Sequence, residues 1–590
     1  MVLLFKSFFL NMYEKEVYTL GLCTMGTSSA ALFKNGILLA AIEEERLSRK
    51  KNDNSFPNLA IKEVLKIENI KLSDVDKICV YWQPWRVGTR IFNTFKKVLI
   101  DPNSKKIIIE KVKQVFTPSF ITQEGSWADL FRIKRILTKN HGELKAKINF
   151  YDHHLTHQKY GESIRSWDNC ICLSYDGGGE SDSTVLSIIL EGKKKILTRH
   201  KWPNSLGHFY STFTGFLGFK MLEGEYKMMG LAPYGKPKYK KKILSEILLL
   251  RKNGKYKLNT ELCDYHSALK GKFNQKLISL FGNQRLKDEK PTQDHIDLAC
   301  SVQSAFEDCL IHILSPATKY YPKLNKIVLS GGCALNVTAN GKLLKSKIVD
   351  EIIIPPAPHD AGCAIGAALC GIKTKIDYQS VRSPYLGKNF SNAEIHNELS
   401  KQCKNNFLKI KEDDLIKRTV NYLIEGKLIA WFQGGAEFGP RALGARSFLA
   451  DPRNDQIRDQ INQKIKKREL FRPFAPSTLE ETSKDFFDID QDSPYMNIVS
   501  KVKNNNIPAV THIDGTARVH TISQDMHNRY YKLISHFGKK TGIPVILNTS
   551  FNVQEPIVYS PKDAISTFIN SKVDFLVIGD YIVSREDLNY

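Results

Sequence analysis

The segment Tyr18-Thr-Leu-Gly-Leu-Cys23, followed by the polar loop Gly26-Thr-Ser-Ser29, a second apolar stretch, the turn Asn35-Gly36 and a third run Ile37–Ile42, returns in altered form between Cys170 and His200. There the first run is Ile171-Cys-Leu-Ser-Tyr175 and the loop is Asp176-Gly-Gly-Gly-Glu-Ser-Asp182. A strand then reaches Ile189, Gly192 turns the chain, and Lys193–Thr198 closes the unit. Asn-Gly between two apolar runs is a hairpin signal, because both residues tolerate the positive φ a tight turn demands. Each copy therefore reads as a three-stranded antiparallel meander whose first loop is rich in backbone donors. Two copies, each continued by helices, predict an α/β chain with an internal duplication.

The rest of the chain bounds the class. At 590 residues it is too long for one core, and 42% hydrophobic with 25% charged content is that of a globular protein. No apolar run approaches the roughly 20 residues of a membrane span. The opening Met1–Met12 is apolar but short, without a basic start or a small-residue cleavage site, so it does not read as a signal peptide; Met1 and Met12 are both left as starts. Eleven cysteines, an odd number without a CxxC, fit free thiols in a reducing cytoplasm. A formal charge of +24 calls for anionic partners. The lysines are scattered, whereas several arginines sit inside glycine-rich motifs, which favours small phosphorylated substrates over nucleic acid.

Between the copies, Trp82–Asn149 is basic and aromatic, with Trp85, Phe92, Phe95, Phe116 and Trp127, and is expected to be helical over Trp127–Thr138. Gly271–His295 reads as a polar connection and Ile296–Ala317 as a helix with an apolar face. Lys326–Ser330 is a buried strand delivering Gly331-Gly332, and Ile352–Ile354 delivers the loop Pro355–Gly362. A linker is expected around Tyr378–Asn389. Beyond it a second αβ unit opens with a helix over Lys411–Glu425, a strand over Leu428–Phe432 and the loop Gln433–Pro440.

One cluster reads as a split metal site. In Asp152-His-His-Leu-Thr-His157 the imidazoles of His153 and His157 are four residues apart and leave one face of a helix. Asp176 and Asp360, each in a glycine-containing loop, supply hard oxygen donors. Two nitrogens and two carboxylates suit Fe(II), Mn(II) or Zn(II).

A series of ordered blocks carries a resemblance. They are Ala41-Ile-Glu-Glu-Glu-Arg46, His153–His157, Ser174-Tyr-Asp-Gly-Gly-Gly179, Glu225-Tyr-Lys-Met-Met-Gly-Leu-Ala-Pro-Tyr-Gly235, Ser330-Gly-Gly-Cys-Ala-Leu-Asn336, Pro355–Gly362, Glu437-Phe-Gly-Pro-Arg-Ala-Leu-Gly-Ala-Arg446, Phe471-Arg-Pro-Phe-Ala-Pro476, Asp514-Gly-Thr-Ala-Arg518 and Asn548-Thr-Ser-Phe-Asn552. From about Tyr18 to Ile582 the chain resembles the NodU/CmcH-type O-carbamoyltransferases. The resemblance implies an N-terminal actin-like ATPase domain of threonylcarbamoyl-transferase type over residues 16–375 and a YrdC-like αβ domain over 385–570. Residues 571–590 would then supply a strand that packs on the first domain. It implies carbamoyl phosphate and ATP as co-substrates, Mg with the ATP, and carbamoyl adenylate as the activated species. The carbamoyl group would pass to a hydroxyl of a small secondary metabolite. It also assigns His153, His157, Asp176 and Asp360 to a divalent metal, Fe(II) ahead of Mn or Zn, and Arg441, Lys466, Arg472 and Arg518, with Lys227, to catalysis on phosphate. Gly177, Gly178, Gly331, Gly332, Asn336, Asn548, Ser550 and Asn552 would line the substrate and nucleotide sites. Arginine forks suit this chemistry because they bind phosphate oxygens in pairs.

Two positions depart from the family pattern. A histidine expected to deprotonate the acceptor aligns with Gly26, and a second aligns with Asn52. His154 and His208 are the substitutes by motif context. A transferase acting on tRNA and a nucleotide-binding protein that lost its chemistry remain as alternatives. The acceptor, and whether the chain forms a homodimer, stay open.

Overall fold

The computed structural model describes residues 16–86, 125–403 and 406–588, together with Gly88 and Thr117. The expectations for Met1–Met12 and for Phe92, Phe95 and Phe116 lie outside the described residues.

The duplication is present strand for strand. The first sheet holds β1 (Tyr18–Cys23), β2 (Ser29–Lys34), β3 (Ile37–Glu43), β4 (Lys77–Val80) and β5 (Lys147–Phe150) in the order β3-β2-β1-β4-β5. The second copy begins with β6 (Cys170–Tyr175), β7 (Asp182–Leu190) and β8 (Lys193–Lys201). A separate hairpin of β9 (Leu248–Leu250) and β10 (Tyr256–Leu258) follows, and then β11 (Lys326–Ser330) and β12 (Glu351–Ile353) complete the sheet as β12-β11-β6-β7-β8. In each copy a meander is extended by two parallel strands, β1–β4–β5 and β6–β11–β12. Such sheets are covered on both faces, which is why β1 and β6 are buried at every position instead of alternating.

The long helix Gln293–Tyr320 exceeds its expected span at both ends and buries Leu298, Val302, Phe306, Leu310 and Ile313 in the second core. Trp127–His141, capped by Ser126, likewise fulfils its reading and runs three residues further. The polar stretch read as a connection contains a helix, Gln275–Phe281, whose Leu277 and Phe281 enter the same core. Its lysines hide that apolar pair.

Residues 408–584 build one nine-stranded mixed sheet. It comprises β13 (Leu408–Lys409), β14 (Ile429–Phe432), β15 (Arg446–Ala450), β16 (Ala475–Leu479), β17 (Ile498–Lys501), β18 (Thr516–Ile522), β19 (Val545–Ser550), β20 (Phe575–Ile578) and β21 (Tyr581–Ser584), ordered β13-β21-β20-β14-β15-β19-β16-β18-β17. Two corrections follow. The last strands do not return to the first sheet: β20 pairs parallel with β14 and β21 folds back on β20, so Leu576, Ile578 and Val583 pack in this half's own core. The expected linker is ordered, with a helix Tyr378–Arg382 whose Val381 is fully buried in the first core and whose Arg382 donates to the carbonyl of Ile164.

The two halves are pinned to each other. Arg46 donates to the carbonyl of Gly439 at 2.6 Å, and Arg49 to those of Pro556 and Ile557 at 2.7 Å each. Asn340 reaches the carbonyl of Asn497 at 2.9 Å. The acidic and basic block after β3 is thus a clasp between halves, a role its sequence did not announce.

Candidate functional site

The four first-loop and fifth-strand positions of the duplicated fold meet at one point, because parallel sheets present their ligands beyond the carboxyl ends of the strands. The chain leaving β5 starts the helix His153–Ser163, whose N-terminus is capped by Asp152 through the amide of Leu155. The chain leaving β6 is the Asp176 loop. The chain leaving β12 reaches Asp360 on a short 3₁₀ turn, and the loop leaving β1 brings Gly26 against it.

His153 Nε2 lies 3.1 Å from Asp176 Oδ2 and 3.8 Å from Asp360 Oδ1. His157 Nε2 lies 3.4 and 3.6 Å from the same two oxygens and 3.2 Å from His153 Nε2. Donors about 2.1 Å from a shared ion stand roughly 3.0–3.4 Å from each other in octahedral or tetrahedral geometry. The cage therefore fits a divalent ion with little adjustment. Both histidines are buried, and Asp176 accepts from the amide of Gly332 at 3.2 Å. Burial opposes ionisation of Asp176, but the two facing imidazoles hold its carboxyl well below the usual range. The rings of Tyr81 and Trp82 flank His153 at 5.4 and 5.1 Å and fix its orientation. One further donor is close: the ligand atoms of His153, His157, Asp360 and Cys363 all lie within 4.8 Å of one another.

This cluster forms one wall of a cavity of about 1130 Å³. Asp176, Gly177, Gly178, Gly332, Asn336, His208, His359 and Asp360 line it from the N-terminal half; Arg441, Arg468, Arg472, Arg518, Asn548, Ser550 and Asn552 line it from the C-terminal half. A shallower groove of about 530 Å³ beside Asn35 and Lys375–Gln379 holds none of the expected site residues.

The arginines are held without adequate counter-charge. Nε of Arg441 and of Arg518 is buried with no acceptor among the described residues. Burial pushes Arg441 down to about 10 and, with the charge of Arg472, Arg468 to about 9. Arg518 falls well below the ordinary arginine value through burial and the charges of Arg441, Arg468 and Arg472. Arg472 lies over the Tyr226 ring at 4.6 Å, with Glu469 3.6 Å away. Arg468 belongs to this group although no motif singled it out. By contrast Arg446 is spent on the carbonyls of Gln433, Gly434 and Ala445, and Arg453 on Asp451.

Several expected roles change. Lys466 does not line the cavity: its buried ammonium donates to the carbonyl and side chain of Asn552 and to Ser550, so it fastens that turn from beneath. Lys227 is paired with Glu469 at 2.9 Å and also lies outside the cavity wall. Gly331 does not line the cavity; at φ +89 its missing Cβ leaves room for the carbonyl of Tyr175, which would otherwise stand 2.2 Å away. Asn336 caps the helix Val337–Lys345 and exchanges two hydrogen bonds with Gln303. His154 is closed as a base, because its ring nitrogens are taken by Ser174 Oγ at 2.6 Å and the carbonyl of Asp182 at 3.0 Å. His208 remains at the cavity wall, stacked on Tyr265.

Family models match both halves: carbamoyltransferase N-terminus over residues 19–369 and carbamoyltransferase C-terminus over residues 420–585. An uncharacterized protein of Synechocystis sp. is 37% identical over 95% of this chain and 95% of its own. Nodulation protein NolNO of Sinorhizobium fredii is 35% identical, covering 95% of this chain and 79% of its own length. Nodulation protein NolO of Bradyrhizobium diazoefficiens is 37% identical, covering 74% and 79%.

Proposed function

The chain belongs to the carbamoyltransferase family, and from that premise we propose that it converts carbamoyl phosphate, ATP and one water to carbamoyl adenylate, releasing phosphate and pyrophosphate, and then passes the carbamoyl group to a hydroxyl of a small secondary metabolite, releasing AMP. The observation that carries this reading is the cavity wall on which Arg441, Arg468, Arg472 and Arg518 crowd together. Guanidinium stays protonated, so four like charges in a half-buried cleft are costly until a polyanion arrives. Carbamoyl phosphate and the triphosphate of ATP supply that charge, and arginine forks bind it in pairs of parallel hydrogen bonds.

Asn548 supports a carbamoyl subsite. Its Nδ2 is anchored to the carbonyl of Ala442 and to Ser477 Oγ, while its Oδ1 is buried with no donor among the described residues. A carbamoyl NH₂ would supply one. A divalent ion held by His153, His157, Asp176 and Asp360, Fe(II) by preference, would lend Lewis-acid charge to the phosphate end of the adenylate. His208, beside Gly177 on the cavity wall, would take the proton of the attacking hydroxyl. The actin-like identity of the first half, its extent to about residue 375 and the YrdC-like identity of residues 385–570 belong to the same proposal.

The test is carbamoyl-phosphate-dependent exchange of labelled pyrophosphate into ATP. Arg472→Ala loses charge-assisted bonds worth about 1.5–3 kcal/mol each, so exchange is expected to fall at least roughly tenfold while His157→Ala keeps it. Exchange at the wild-type rate in Arg472→Ala would refute the phosphate role.

A further inference from the structure

The metal cluster contains a donor that the two-histidine, two-aspartate set does not use. Cys363 opens the helix Cys363–Gly371, is fully buried, and has His157 and Thr156 as polar neighbours. Its Sγ lies within 4.8 Å of the ligand atoms of His153, His157 and Asp360. Asp176 stands outside that set, although its Oδ2 is 3.1 and 3.4 Å from the two imidazoles. Two four-donor sets thus share three members. The fourth corner is an oxygen in one and a sulfur in the other.

We propose that Cys363 is an alternative metal donor, so that a thiophilic ion such as Zn(II), Co(II) or Cd(II) is held through His153, His157, Asp360 and Cys363, whereas a hard ion such as Mn(II) is held through Asp176 in its place. This rests on the metal reading above. Soft thiolate sulfur selects Zn and its congeners, whereas carboxylate oxygen suits Mn and Mg. A metal–sulfur bond is about 2.3 Å, so donors in such a site stand roughly 3.5 Å apart; Sγ already lies within 4.8 Å of its three partners, and χ1 is the one side-chain torsion that sets its approach. The two positions also differ in function: Asp176 lines the cavity and Cys363 does not. An ion drawn to sulfur therefore sits on the side away from the substrate, and the cluster discriminates between metals by where it holds them.

The full chain, stripped of metal by chelation, checked for native circular dichroism and reloaded with Co(II), reads this directly. A sulfur-to-cobalt charge-transfer band is expected in the near ultraviolet. It should vanish in Cys363→Ser and Cys363→Ala and persist in Cys23→Ala, Cys23 being the other buried thiol near Asp360. In competition between Zn(II) and Mn(II), Cys363→Ser should lower the bound Zn-to-Mn ratio about tenfold. Bound cobalt with visible d–d bands but no charge-transfer band, a band that survives Cys363→Ser, or an unchanged ratio overturns the sulfur donor and leaves the metal reading standing. Failure of the wild type to bind cobalt overturns both.

Discussion

Gly26 could carry a side chain in this fold only under strain, pushing on Asp360. Its φ is +76, and a Cβ built on it would stand 2.1 Å from Asp360 Oδ2. A histidine substituted here, as the family pattern would have it, would displace the Asp360 carboxylate, one of the proposed metal donors, before it could act as a base. Gly26→Ala is expected to cost about 1–3 kcal/mol in backbone strain and to lower bound metal, read by urea unfolding and elemental analysis; full metal content in the folded variant would sink this account. The base then has to be sought among the histidines at hand. His208→Ala should lose roughly 10²–10⁴-fold in transfer with metal content and pyrophosphate exchange intact. His154→Ala should lose stability, since Ser174 and the carbonyl of Asp182 forfeit a buried partner. The reverse pattern would exchange their roles. The convergence of His153, His157, Asp176 and Asp360 was legible in the sequence, because helical spacing and loop glycines survive as local signals. The fates of His154, Lys227 and Lys466 were not, because a polar group's role depends on which partner the distant chain brings to it.

At the scale of elements, the meanders could be read from their Asn-Gly turn and apolar runs, and their duplication follows from the matching order of β1–β5 and of β6, β7, β8, β11 and β12. The linker was misread because its polar letters conceal one decisive residue, Val381, and two distant partners of Arg382: the Ile164 carbonyl, which accepts from its Nε, and the Tyr495 hydroxyl, which donates to its carbonyl. The final strands were misassigned because nothing in a short apolar run says which sheet it joins. The turn after β19 shows how one buried side chain sets an element. Lys466 Nζ satisfies the carbonyls of Ser550 and Asn552 and the Asn552 amide oxygen, at 2.8 and 2.9 Å for Asn552. Lys466→Met keeps the apolar stem and removes the donor; the Ser550 carbonyl still accepts from the Asn552 amide and the Asn552 amide oxygen from Ser550 Oγ, so the Asn552 carbonyl is the acceptor left short, at about 1–3 kcal/mol. A loss of about 1–3 kcal/mol in urea unfolding is expected, accompanied by a raised KM for carbamoyl phosphate as Asn548 and Ser550 lose their position. A stable Lys466→Met with only kcat reduced would instead make the ammonium a direct participant.

Across the whole molecule the cavity sets stability against function. The clasp of Arg46 and Arg49 onto Gly439, Pro556 and Ile557 holds the cationic wall opposite the metal cluster, so the arginines cannot relieve their repulsion by moving apart. Arg518 bears most of it, facing Arg441, Arg468 and Arg472 with its Nε unpartnered. Removing that charge should therefore stabilise the empty protein, against the usual expectation that point changes destabilise. Arg518→Gln is predicted to raise Tm by several degrees in low salt and to narrow its lead as salt screens the wild type. A ligand that binds only the folded chain stabilises by RT ln(1 + [L]/Kd), about 2.7 kcal/mol at a hundredfold excess over Kd. Inorganic pyrophosphate should then raise the Tm of the wild type and leave that of Arg518→Gln nearly still. The two curves are expected to cross as pyrophosphate is added. If Arg518→Gln melts below the wild type without any anion present, the guanidinium is held by contacts that compensate its charge, and the four arginines are a structural network instead of a waiting phosphate site.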